Sequence, residues 1–406
     1  MHLATPGAAH LTYCSKVHPG HGWGQVWPQL QACVPRLKAR LSPQAPFGLG
    51  LRLSASECEE LLAGDRLLAF KDFLAAHDLY VFTLNGFPYG AFHGPRVKAE
   101  VFAPDWRDEA RLDYTNRLVQ VLQELLPPGL EGSISTAPLS YKPWLAPADK
   151  EALGLITCNL AALAQRLLEV RERSGLFIHL DLEPEPDGLV ETCAEVAAFY
   201  GEWLLPLGGR WLADRAGLSL ARAQEALLSH IQVCLDTCHL AVSYEDPEAA
   251  LTCLADIGIK VGKVQVTSGW QVALTREQAG LARLGRELAP FSRSPYLHQV
   301  RGRKNDGSLT RYGDLSEALP HLPASSDREW RIHYHVPLFI ERHGSLATTH
   351  AETRAVLQLL ARHGFTRHLE IETYTWELLP GDLKLNLVDF LEREYNWTLE
   401  ALAAGD

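Results

Sequence analysis

Apolar and polar residues alternate one by one in four stretches of the chain, and each polar side runs out at an acidic or amide residue. Ile178, Leu180 and Leu182 fall on one side of an extended backbone while His179, Asp181 and Glu183 fall on the other. In the same way Val233 and Leu235 oppose Gln232, Cys234 and Asp236; Val264 and Val266 oppose Lys263 and Gln265; and Leu369 and Ile371 oppose Glu370 and Glu372. Weaker versions of the pattern occur earlier, so that eight strands are predicted, at residues 10–14, 47–53, 79–84, 132–137, 176–183, 232–236, 263–267 and 368–373. Between them lie helical periods. Leu112, Leu118, Val119, Leu122, Leu125 and Leu126 recur near every 3.6 residues until Pro127, Pro128 and Gly129 stop them, and Asp246 before Pro247 reads as a cap opening a helix.

An antiparallel sheet with one wet face produces the same alternation, but its hairpins need no long helices between strands. Strand and helix in turn imply a parallel sheet, and eight repeats let it close. The expected fold is therefore a (β/α)8 TIM barrel, with polar faces looking into the barrel and ligand groups meeting at its open end. All 406 residues fit one such domain. Residues 269–331, rich in Ser, Pro, Arg and Gly, form an insertion between the seventh and eighth strands, expected to lie irregularly over the C-terminal face. Just beyond, Arg331, His333 and His335 oppose Ile332, Tyr334 and Val336, as in an extra strand or hairpin arm. The early strands also end in polar groups: Arg52 on the second, and Asn85 on the third, which leads into a Gly- and Pro-rich loop carrying Tyr89, His93 and Arg96.

The formal net charge of −11 argues against a nucleic-acid footprint and gives no reason to expect an anionic membrane surface. The start of the chain lacks a cationic segment followed by an apolar core, and no run of about 18 apolar residues is evident, so a cytoplasmic protein is expected, without membrane insertion. Eight scattered cysteines without a Cys-x-x-Cys pair read as buried thiols. Cys234 and Cys238 flank Asp236, too far apart along a strand for tetrahedral zinc ligation unless the chain turns.

From about Leu11 to Trp376 these segments, among them LDLEPEP, CLDTCHLAV, VQVTSGW, RIHYHVPLF and LEIETYTW, resemble the xylose-isomerase-like barrels of the sugar isomerase and epimerase superfamily, and within it the EboE metabolite-traffic family. The resemblance implies one divalent metal ion (Mn, Mg, Zn, Co or Fe) on the last four strands, with Glu183, Asp236 and Glu372 as ligands. Where a typical epimerase has histidine on the seventh strand, this chain has Gln265, still an oxygen ligand suited to Mg or Mn. His239 matches the Asp-x-x-His whose histidine contacts substrate hydroxyls. Endonuclease-IV-like repair enzymes share that motif, but need more histidines and a DNA-binding surface.

Two functions follow as expectations. In the first, Glu183 and Glu372 exchange protons with a metal-bound polyol or hydroxy-ketone, while Arg52, Asn85, His93, His239, His333 and His335 bind the substrate. In the second, the pocket binds a metabolite without turning it over, inside a multi-gene pathway whose other products are candidate partners. Gln265, and aromatic residues expected at the mouth (Trp23, Trp27, Phe87, Tyr89, Phe92, Trp270, Tyr374 and Trp376), favour the second.

Overall fold

The computed structural model describes residues 1–90, 98–379, 381 and 384–404. All eight expected barrel strands form, at His10–Tyr13, Phe47–Arg52, Leu79–Asn85, Glu131–Thr136, Phe177–Leu182, Ile231–Asp236, Val261–Val266 and His368–Ile371. They make one parallel sheet in which each strand pairs with its sequence neighbour and the eighth returns to the first. Helices fill the intervals, including Glu109–Leu125, Pro247–Ala255 capped by Asp246, and His350–His363. The chain is thus a nearly closed TIM barrel.

The seam between the first and second strands shows how closure is reached without a full backbone ladder. Only the bridge from Cys14 to Gly50 joins them. Thr12 supplies the missing bonds: its hydroxyl accepts from Gly50 N at 2.7 Å and donates to Gly48 O at 3.0 Å, and Arg52 N donates to Ser15 Oγ at 2.8 Å. A side chain at Gly50 has no room, because a Cβ there would lie 2.0 Å from Glu370 Oε1.

Strand parity is kept: Ile178, Leu180, Leu182, Val264, Val266, Leu369 and Ile371 join the main core between sheet and helices. Several of the inward residues pair with one another. Lys263 pairs with Glu370 at 2.6 Å, His179 with Asp181 at 2.6 Å, and Ser133 contacts both Thr83 and His368 at 2.7 Å. The helix Lys150–Ser174 has the length and apolarity to cross a membrane, which the sequence reading overlooked; Ile156, Leu160, Leu163 and Leu167 bury its apolar stripe against the barrel.

The segment expected to be irregular is instead well folded. Six short strands, ordered Leu309–Tyr312, Val300–Arg303, Glu329–Ile332, Trp270–Ala273, Leu346–Thr348 and Arg342–His343, form an antiparallel sheet that runs on past Arg331. It has its own core, including Trp270, Leu284, Phe291, Trp330, Ile332 and Tyr334. Strands of about four residues are too short for periodicity to announce them. Arg301, fully buried, ties this sheet to the loop after the fifth barrel strand through Asp187 at 2.7 Å and Glu191 at 2.9 Å.

Candidate active site

Four strand ends deliver the polar groups anticipated from sequence. Glu183 follows the fifth strand, its N–H donating to Thr136 O at 3.1 Å. Asp236 ends the sixth and caps the helix Thr237–Val242, Oδ1 accepting from Cys238 N at 2.8 Å, His239 N at 3.0 Å and Thr267 Oγ1 at 2.5 Å. That cap leaves Oδ2 for the site. Gln265 lies on the seventh strand, and Glu372 follows the eighth.

Gln265 decides how these groups combine. Its amide nitrogen faces Glu183 Oε1 at 2.8 Å, Glu372 Oε2 at 3.0 Å and Asp236 Oδ2 at 3.1 Å, while its oxygen accepts from Asn85 Nδ2 at 3.0 Å. This orientation follows from Asn85, whose own oxygen accepts from Phe87 N at 3.2 Å and whose nitrogen therefore points at Gln265. An amide N–H is a donor and no metal ligand. In this orientation the quartet Glu183, Asp236, Gln265 and Glu372 offers an ion three carboxylates rather than four ligands, and the neutral Gln265 amide bonds the carboxylates together without an ion's charge.

Above this cluster lies a cavity of about 40 Å³ lined by Glu183, Glu185, Glu372, Lys16 and the three histidines His239, His333 and His335, with Phe87, Tyr296 and Tyr374 among its apolar walls. The last two histidines come from the insertion. The chain leaves the sheet after Ile332 but stays extended, so His333 and His335 enter the barrel cavity while Tyr334 and Val336 pack into the insertion core. Lys16, just past the first strand, donates to Glu372 Oε1 at 3.1 Å, which also accepts from Asn85 at 2.9 Å. One oxygen each of Glu183 and Glu185 has no hydrogen-bond partner.

Burial dominates the electrostatics. It raises the Glu183 carboxyl well above its usual range, helped by repulsion from Glu372 and Asp236. Glu185 rises to about 8, again through burial, with a hydrogen bond from Gln299 opposing. Asp236 is raised by burial against the bonds to Thr267, His239 and Cys238. His239 falls to about 3 through burial, so its ring is neutral at physiological pH.

Several expected contacts lie elsewhere. Arg52 is absent from the cavity wall; it pairs with Glu57 at 2.9 Å and donates to Gly90 O, holding the loop after the third strand. Asn85 sits beneath the cavity as a support for Gln265 and Glu372. His93 and Arg96, with Phe92, fall outside the described residues. Trp23 and Trp27 stack on each other beside Phe70, and Trp270 lies in the insertion core, so of the expected aromatics among the described residues only Phe87 and Tyr374 line the cavity. Lys16 and Glu185 were missed. Lys16 follows a strand end, as catalytic groups do in this fold, and Glu185 has the same extended-chain parity as Glu183.

No family model matches the chain, and no curated protein matches it. Solved structures resemble it in architecture. A xylose isomerase domain protein from Planctomyces limnophilus shares 12% identity with a TM-score of 0.47, covering 99% of this chain and 97% of that one. An IOLI protein with a bound zinc atom shares 11% with a TM-score of 0.46, covering 98% and 99%. D-allulose 3-epimerase from Methylomonas sp., in complex with D-allulose, shares 15% with a TM-score of 0.41, covering 65% and 74%.

Proposed function

We propose that the cavity is the active site of an isomerase or epimerase acting on a small hydroxy-ketone or related polyhydroxylated metabolite. The observation that carries this reading is the meeting of Glu183, with one unpartnered oxygen, and the Lys16–Glu372 pair in one buried cavity at the C-terminal ends of the strands. Glu183 accepts a proton from the carbon beside a carbonyl. The negative charge that develops on the carbonyl oxygen is balanced by the Lys16 ammonium, which Glu372 and Tyr374 position. Returning the proton to the former carbonyl carbon, while the adjacent hydroxyl passes its proton to the former carbonyl oxygen and becomes the new carbonyl, isomerises the substrate; returning a proton to the opposite face of the same carbon epimerises it. His239, His333 and His335 are placed to contact hydroxyls, and Glu185 stands as a second carboxyl for the return step.

Solvent deuterium exchange into a panel of hydroxy-ketones, read by NMR, tests the reading. Glu183→Gln should slow exchange by about 10²- to 10⁴-fold with the fold unchanged. Exchange at the wild-type rate in that variant would sink it.

A second reading is a metabolite-binding protein of the EboE type, acting with other products of its gene cluster. Gln265 favours it, because its amide N–H groups occupy carboxylate oxygens that chemistry would otherwise use. Thermal stabilisation by a metabolite that undergoes neither exchange nor conversion would select this reading.

A further inference from the structure

His239, His333 and His335 are arranged as metal ligands, independently of any reaction at the cavity. Each ring is held at Nδ1 by an oxygen that can only accept: His239 by Pro184 O at 3.0 Å, His333 by Gln299 Oε1 at 2.7 Å, and His335 by Glu372 O at 2.7 Å. The Gln299 oxygen is fixed in turn, because its amide nitrogen donates to Pro186 O at 2.7 Å. Nδ1 therefore carries the proton in all three rings, and Nε2 presents a lone pair. Such bracing of the far nitrogen orients imidazoles around metals in general.

The bare nitrogens then meet. His239 Nε2 and His333 Nε2 lie 3.0 Å apart with no hydrogen between them, a repulsive contact unless something electropositive sits beside both. His335 Nε2 has no hydrogen-bond partner although the residue is only 1% exposed. One ring nitrogen from each of the three lies within 4.8 Å of one from each of the others. Tetrahedral zinc with Zn–N bonds of about 2.0–2.1 Å spaces its ligands roughly 3.3 Å apart, which this cluster brackets. Asp236 shares further groupings of this kind with His335 and with His239, and its Oδ2 stands 3.6 Å from His335 Nε2.

We propose that this chain binds one divalent transition ion of the zinc class through Nε2 of His239, His333 and His335, with Asp236 as the acidic fourth group. The barrel contributes one imidazole and the insertion two. The site lies beside the carboxylate cluster, whose centre Gln265 fills. Imidazole donors select Zn or Co over Mg, reversing the preference expected from an all-oxygen set.

The test uses the full-length protein stripped with chelator and titrated with Co²⁺ alone. Binding of one equivalent per chain, with three exchangeable, paramagnetically shifted imidazole N–H resonances in the NMR spectrum, is the expected result. His333→Ala and His335→Ala should each weaken binding at least 100-fold. Gln299→Leu, which removes only the brace on His333, should weaken it about 10- to 100-fold. Two or fewer shifted imidazole protons would overturn the proposal, as would absence of stoichiometric binding, the outcome for a proton shared between His239 and His333. None of these readouts depends on turnover, so the proposal and the isomerase reading can fail separately.

Discussion

At Gln265 one amide with two hydrogens serves three carboxylate oxygens. Burial and repulsion from Glu372 and Asp236 raise the Glu183 carboxyl well above its usual range, which makes its carboxylate a strong base. Replacing Gln265 by Leu removes the donor and leaves Glu183, Asp236 and Glu372 facing one another in the interior. We expect a loss of about 3–5 kcal/mol in a denaturant titration, the usual cost of stranding buried charge. A Leu variant as stable as wild type would refute this account of the cluster. Glu394 offers a pH test away from the cavity. It is fully buried, accepts from Leu338 N at 2.8 Å and Thr373 Oγ1 at 2.6 Å, and burial raises its carboxyl from 4.5 to about 8. The folded state therefore binds a proton that the unfolded chain releases above about pH 4.5. Its contribution is full below that pH and is lost as pH rises through about 8, a span worth on the order of a few kcal/mol. Urea midpoints at pH 5 and pH 9 should fall further apart for wild type than for Glu394→Gln.

Among the elements, the barrel strands were read from side-chain period, and their inward faces explain why the polar half of that period is tolerated. Lys263 and Glu370 face each other on the seventh and eighth strands with no solvent exposure, and Lys263 also reaches Ser135 at 3.3 Å. Lys263→Met should cost about 3–5 kcal/mol by leaving Glu370 unpaired, and adding Glu370→Leu should recover most of it. Equal losses in the single and double variants would show that the pair does not act as a unit. The insertion strands escaped notice for the converse reason. Four residues such as Val300–Arg303 hold only two per face, and Arg301 is buried by pairing with Asp187 and Glu191 rather than by being apolar.

Across the whole molecule, the insertion sheet and the barrel share one polar seam. Arg301 binds Asp187 and Glu191 and Gln299 binds Pro186, so the sheet that leads into His333 and His335 is clamped to the loop that carries Glu183 and Glu185, and Lys98, after the third barrel strand, adds a bond to Asp314 at 2.6 Å. Arg301→Leu should destabilise the chain by about 3 kcal/mol, the lower end for a broken buried pair, since Glu191 retains Arg311. Hydrogen exchange should then rise at residues 299–303 and 329–335 while the central barrel strands stay protected. A uniform rise over the barrel would mean that sheet and barrel open together.

Sequence alone determined the eight strands, their order and the presence of Glu183, Asp236, Gln265 and Glu372 at strand ends, because those follow from a two-residue period that each short stretch carries within itself. Tertiary structure decided what these groups do. Lys16 meets Glu372 across 356 positions of chain, and His239 meets His333 across 94. The direction of the Gln265 amide is set by Asn85, four strands away in the barrel order. No local pattern encodes such contacts: a hydrogen bond depends on where two distant backbones come to rest, and here that turned an expected metal ligand into the donor that holds three carboxylates together.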